Sequence, residues 1–344
     1  MDAKITKKRL AHMLSYDWIK LVLAIVAAIV VWVLVFTTTA TRITNTQRFV
    51  VCNYLGVQYG QKIKIYEGHS HEILEAEVVD NLRGGEETFY ELFTANIEIG
   101  EGDVLMVANA NTTKSEKKDE AGNPVLDGEG NPVYEYGNNY FEAFLKAYWH
   151  NCTRLDDSAD GTQKGYFTQM KEYLGAFYEY SETEKTFGGI TMKVANFDES
   201  TLNEQAVEQA FRARVKLTKD KRFKKEAQIA AGVQEDLKRI RSYASAYETF
   251  FENLEKGYIE LTTVSIAITE QFTLEGAYGI NLCPTSIGTM DSLKEQFYYL
   301  DADGKQTAKN VNALFLRLNG LDVNYQYENI LYLNALIKDV CTTL

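Results

Sequence analysis

The chain has 344 residues, 45% of them hydrophobic, with only three prolines and a net charge of −12. That supplies apolar material for one large or two medium cores and argues against a flexible stalk. The negative balance disfavours nucleic acid, anionic lipid surfaces and anionic wall polymers as partners.

Residues 21–36 read LVLAIVAAIVVWVLVF, without one polar side chain. A helix needs roughly 20 mostly apolar residues to cross a bilayer, and only a helix satisfies its own backbone there. The pattern predicts a single transmembrane helix over 21–41, after a basic segment at 1–20. That segment carries Lys4, Lys7, Lys8, Arg9 and Lys20 against Asp2 and Asp17, a net of +3, while only Arg42 follows closely on the other side. The N-terminus is therefore expected in the cytoplasm and residues 42–344 outside the cell membrane, where −15 remains. A cleaved signal peptide is the competing reading. Against it, the leading segment contains Asp17 and Trp18, and Thr38-Thr39-Ala40 makes a poor cleavage site.

Beyond the anchor, Arg48–Tyr54, Lys62–Tyr66 and Ile73–Val79 read as strands and Glu86–Ile97 as a helix. Asp103–Ala108 is a short, nearly continuous apolar strand of the doubly buried kind. This order predicts an α/β domain with a parallel sheet. A polar excursion at 109–139 follows. It contains a duplication, Ala121-Gly122-Asn123-Pro124-Val125 and Glu129-Gly130-Asn131-Pro132-Val133, whose Gly-Asn-Pro units are turn chemistry.

From Tyr134 to Tyr180, 13 of 47 residues are aromatic, and two helices near Tyr140–His150 and Tyr166–Tyr178 are expected to carry most of them. Thr201-Leu202-Asn203-Glu204 reads as a capping box opening a helix through Lys216. Next, Ile229, Val233, Leu237, Ile240, Ala244, Tyr247, Phe251 and Leu254 recur in steps of three and four. This spacing predicts a long helix, stopped by Gly257. Ile259–Ile268 and Ala313–Leu318 read as strands, and Gln326–Cys341 as a closing amphipathic helix.

Motifs for chemistry are scarce. His69-Ser70-His71-Glu72 could place two imidazoles on one side of a strand, but no further ligand stands nearby. Asp301-Ala302-Asp303-Gly304 resembles the start of a calcium loop, yet Lys305 occupies a ligand position, so a plain turn is expected. There is no Gly-x-Ser-x-Gly, Gly-rich phosphate loop or His-Glu-x-x-His. Cys52, Cys152, Cys283 and Cys341 all follow the span without a CxxC pair, leaving two bridges or four separate thiols open. The expectation is a protein that is not an enzyme, with no metal and no cofactor.

A resemblance adds to this reading. Glu91–Ile97 followed by Gly100-Glu101-Gly102-Asp103-Val104-Leu105-Met106-Val107 resembles the early helix, Gly-rich turn and buried strand of bacterial extracellular solute-binding proteins of the ABC-transporter type. Ala277-Tyr278-Gly279-Ile280, and the late strand with the helix after it, resemble a later part of that fold. The resemblance implies two α/β lobes closing on a ligand, with Asp103 and Asn109 near the cleft and an ABC-transporter permease or other membrane protein as partner. Gram-positive members are usually tethered by a lipidated cysteine, and here a transmembrane helix stands in its place.

Aromatic faces stack sugar rings and other flat, weakly polar ligands. Tyr148 and Trp149, ending a predicted helix before a polar loop, suit that role, and Tyr166 opens the second aromatic helix. The ligand-binding candidates are thus Asp103, Asn109, Tyr148, Trp149 and Tyr166, for a small neutral or weakly polar ligand such as a carbohydrate. The rival reading is an interaction protein of the cell envelope, using the stripe from Ile229 to Leu254 as a seam for a membrane partner. Exposure of Leu237, Ile240 and Tyr247 would favour it, and an aromatic two-lobe cleft would favour the ligand.

Overall fold

A computed structural model describes residues 7–39, 48–53, 56–61, 75–78, 91, 94–95, 102–111, 114–137, 139–284, 290–316 and 327–341. The chain divides into two units, 1–44 and 45–344. In the first, helix α1 (Lys7–Thr39) contains Trp18–Phe36, a 19-residue stretch of mean hydropathy 3.0 with no part buried. It is long and apolar enough to cross a membrane.

In the second unit, the elements run β1 (Arg48–Asn53), β2 (Gln58–Tyr59), β3 (Glu75–Val78), β4 (Val104–Ala108), β5 (Lys114–Glu116), β6 (Tyr134–Tyr136), α2 (Tyr140–Tyr148) and α3 (Tyr166–Gly175). There follow β7 (Tyr180–Phe187), β8 (Ile190–Phe197), α4 (Glu204–Thr218), α5 (Glu226–Glu255), β9 (Glu260–Thr269) and β10 (Phe272–Asn281). Then come α6 (Met290–Lys294), β11 (Phe297–Leu300), β12 (Gln306–Thr307), β13 (Val311–Phe315) and α7 (Glu328–Cys341).

One six-stranded sheet, in the order β3-β1-β4-β13-β10-β9, organises the unit. The expected parallel sheet is only half present. The pairs β3–β1 and β1–β4 are parallel, whereas β4–β13, β13–β10 and β10–β9 are antiparallel. The β10–β9 pair is a hairpin, whose neighbouring strands need no crossover helix. Strands β10, β7 and β8 were not anticipated from the sequence. The separation into two lobes that the family resemblance implies is not seen among the described residues.

Every residue of β4 and of β13 is buried, as the apolar run of β4 foretold. Alternation along β4 sends Val104, Met106 and Ala108 into one apolar cluster and Leu105 and Val107 into another. Phe167, Leu237, Ile240, Tyr247, Leu333 and Leu336 of α3, α5 and α7 fill the first, while Phe141, Phe144 and Leu145 of α2 fill the second. The sheet is thus covered on both faces. The periodic stripe of α5 belongs to the core, with Leu237, Ile240 and Tyr247 exposed by 3%, 1% and 0%. Gly257, at φ 69°, ends that helix as the sequence indicated.

Two local readings change. The N-cap of α4 is Asn203, whose side chain accepts from the Ala206 N–H at 3.0 Å, and Thr201 instead closes a 3-10 turn capped by Asp198. Strand β13 starts at Val311 and not at Ala313. The expected strand at 62–66, the His69–Glu72 cluster and most of the helix at 86–97 lie outside the described residues.

The polar excursion is a small knob with an eight-residue repeat. Lys117 N–H donates to Val133 O, Val125 N–H to Lys117 O and Val133 N–H to Val125 O, closing a ring of three backbone hydrogen bonds. Asp119 and Asp127 each cap a turn: Asp119 Oδ1 accepts from Ala121 and Asn123, and Asp127 Oδ1 from Glu129 and Asn131, at 2.8–2.9 Å. Asp301 builds the same turn between β11 and β12, accepting from Asp303 and Lys305, so Asp301–Gly304 is a turn as expected.

Candidate functional site

The five candidate residues fall in separate places. Asp103 and Asn109 sit at opposite ends of β4. Asn109 Oδ1 accepts from Asn139 Nδ2 at 2.7 Å, and Asn139 in turn caps α2. Tyr148 and Trp149 end α2 on the side of the second apolar cluster, with the Trp149 ring 5.0 Å from Phe272. Tyr166 lies in the first cluster, 4% exposed, against Phe315 and Tyr327. Of the aromatic-rich segment, Phe141, Phe144, Phe167, Phe177 and Tyr178 are core residues, and Tyr148 and Trp149 are half-buried.

What the structure does bring together is a run of buried polar groups. Arg214 and Arg239 both pair with Asp236, at 3.0 and 3.1 Å, and Asp236 and Arg239 are 4% and 2% exposed. One turn along α5, the Tyr243 hydroxyl donates to Glu328 Oε1 at 2.7 Å. Asp103 lies close to Glu328, and its Oδ2 accepts from the Val50 N–H at 2.7 Å. Burial raises the Asp103 pKa to about 8, the Val50 hydrogen bond opposing this and the charge of Glu328 adding to it. Burial likewise holds the Tyr243 and Tyr166 hydroxyls well above their ordinary pKa, with Glu328 contributing to both. Perturbed acids often mark functional sites, but Asp103, Tyr166, Tyr243 and Glu328 are all buried. Their work is to tie β4, α5 and α7 together.

One accessible concavity among the described residues is a groove of about 880 Å³ between α5, α7 and β8. Its floor holds Phe197, Ala244 and Leu331, and its walls present Arg241, Ser245, Glu248, Thr249, Asn334 and Lys338. Several of these are already held in place. Asn334 Nδ2 donates to Ala246 O at 2.8 Å, Glu248 Oε1 accepts from Phe197 N–H at 3.1 Å, and Arg241 pairs with Glu204 at 2.8 Å. Tyr178 also lines the groove. Its hydroxyl is sealed from water and has no hydrogen-bond partner among the described residues, a state costing roughly 1–3 kcal/mol. Burial raises its pKa, which Arg241 opposes and Glu199 and Glu248 reinforce.

Sequence reasoning missed the groove. Its residues come from the polar edge of α5 and from α7, some ninety positions apart, as in Ala246 and Asn334. Among the described residues no group of three or more His, Cys, Asp or Glu side chains could hold a metal ion. None of the four cysteines is in a disulfide, and three of them are buried. Comparison of the chain with protein-family models, with curated proteins and with solved structures finds no match in any of the three.

Proposed function

We propose that the chain is a membrane-tethered binding protein of the solute-binding kind, with a cytoplasmic N-terminus, α1 across the bilayer and residues 42–344 outside. It holds a small neutral or weakly polar ligand, such as a carbohydrate, in the groove between α5 and α7. The observation that carries the reading is the groove itself: its volume falls within the roughly 300–1,000 Å³ typical of small-molecule sites. An apolar floor with hydroxyl and amide groups at the walls, beside the charged Arg241, Glu248 and Lys338, suits a ligand bearing both apolar faces and hydroxyls. Capture here takes place within one unit, not between two lobes. The basic segment before α1 supports the orientation.

The interaction reading loses its seam, because the α5 stripe lies in the core. The knob, with Leu126 and Tyr136 exposed by 56% and 57%, is an alternative surface for a protein partner.

The test is thermal and urea unfolding of the full chain in detergent against mono- and oligosaccharides, amino acids and short peptides. A true ligand raises stability by ~2.7 kcal/mol at a hundredfold excess over its dissociation constant. Ser245→Trp, filling the groove from an exposed position, should abolish that gain while leaving the unliganded midpoint in place. A panel without effect, together with crosslinking that traps a neighbouring membrane protein through the knob, replaces ligand capture by an interaction role.

A further inference from the structure

The strand register fixes which end of the sheet the anchor feeds. Cys52 pairs with Leu105, Leu105 with Leu314 and Leu314 with Gly279, so these four residues share one level across β1, β4, β13 and β10. Strand β1 begins four residues before that level, at Arg48. Strand β10 runs parallel to β1, by two successive antiparallel pairings from β4, and begins seven residues before Gly279, at Phe272. One of those seven is taken up by the irregularity between Ala277 and Gly279. The β9–β10 hairpin therefore projects about 7–10 Å past the start of β1, at the same end of the sheet.

That tip carries an aromatic pair. Phe272 is 39% exposed, and the ring of Trp149 lies 5.0 Å from it. The exposed His150 stands edge-on to Trp149 at 6.1 Å. The exposed charges of the tip are acidic, Glu270 and Glu275. Between Thr39, where α1 ends, and Arg48 lie eight residues, so nine residue steps reach at most ~32 Å. Tryptophan and other aromatic rings with a polar neighbour favour the headgroup zone of a bilayer.

We propose that Trp149 and Phe272, at the tip of the β9–β10 hairpin, form a membrane-contact patch that rests in the headgroup region of an uncharged bilayer. The inference requires α1 to be inserted, as the proposed function holds. It does not require a ligand. The acidic tip selects zwitterionic over anionic lipid.

The experiment uses the full chain with Trp18→Phe and Trp32→Phe, so that Trp149 is the sole tryptophan. The protein is reconstituted into phosphatidylcholine vesicles, with and without lipid brominated just below the glycerol. The expected result is quenching of Trp149 by the brominated lipid, at least halved by Phe272→Glu and not increased by anionic lipid. Full accessibility to acrylamide with no quenching by brominated lipid overturns the inference, as does quenching that Phe272→Glu leaves unchanged or that grows with anionic lipid. Alkaline extraction separates the two levels: a chain washed off the vesicles refutes the anchor, and a chain that stays but shows no quenching refutes the patch alone.

Discussion

The Tyr243 hydroxyl, in the middle of α5, donates to Glu328 Oε1 in the first turn of α7 at 2.7 Å, and both residues are buried. This bond joins two residues 85 positions apart, near the point where α7 meets the start of β4. Asn329 Nδ2 adds a second tie, donating to Asp103 O at 3.3 Å. Tyr243→Phe keeps the ring and removes the donor from a buried acceptor, so the expected cost is about 1–3 kcal/mol. Urea unfolding of the variant beside Tyr134→Phe, an exposed control, checks this. Equal midpoints would show that the bond contributes nothing.

Asp103 makes stability depend on pH in an unusual direction. Its folded-state pKa is raised, to about 8 from an ordinary 3.8, so between those values the folded chain holds a proton that the unfolded chain has lost. Stability from this group is fully present below about 4, declines as pH rises through the window and levels off above about 8. Carboxylates that are ion-paired or hydrogen-bonded in their charged form act in the opposite sense. Asp103→Asn imitates the protonated acid and should flatten the decline, by an amount on the order of a few kcal/mol between pH 5 and 8. Denaturant midpoints at several pH values for the two proteins give the answer, and parallel curves would sink the assignment.

Long, locally repetitive elements were legible and long-range ones were not. The stripe of α5 and the unbroken apolar run of β4 each declare burial within a few neighbouring residues. The hairpin β7–β8 also left a mark, Gly188-Gly189 between two eight-residue runs, which is hairpin chemistry. It was hard to see because β7 is exposed along most of its length and lacks apolar alternation. Asp103 was singled out, but its setting depends on Val50 and Glu328, 53 and 225 positions away. No local pattern can report such partners. The groove escaped for the same reason: serines and asparagines on a helix edge look like any solvated face until another helix is laid beside them.

Gly276 is a position where the backbone demands glycine. Its φ is +129°, and a Cβ there would lie 2.6 Å from the guanidinium carbon of Arg154. That guanidinium holds the Asp156 carboxylate at 3.0 Å, and Asp156 Oδ1 accepts from the Ala277 N–H at 2.8 Å. The clamp fixes the loop before α3 onto β10 beside its irregular register. Gly276→Ala strains the backbone and displaces the arginine, at a cost of roughly 1–3 kcal/mol. Adding Arg154→Ala should recover the steric part but lose the clamp. Double-mutant unfolding that is strictly additive would show that the two residues do not meet.

The knob tests whether local order can be removed without touching the domain. Asp119 and Asp127 hold their turns through backbone N–H groups, and the same bonds lower the pKa of both carboxyls, from Asn123 and Asn131 first. Apart from half-buried Val125 and Val133, nearly all of residues 115–136 are exposed, so the knob has almost no core of its own. Its attachment includes the Lys114–Asp303 ion pair at 2.7 Å, a surface contact of small worth. Replacing both aspartates by alanine should therefore open the two turns while leaving the global unfolding midpoint unchanged. Hydrogen exchange resolves the outcome: fast exchange confined to the amides of residues 117–133 is expected, with protection of β4, β13 and α5 intact. A fall in the global midpoint would mean that the knob supports the sheet, and its projecting surface could then not be treated as a separate module.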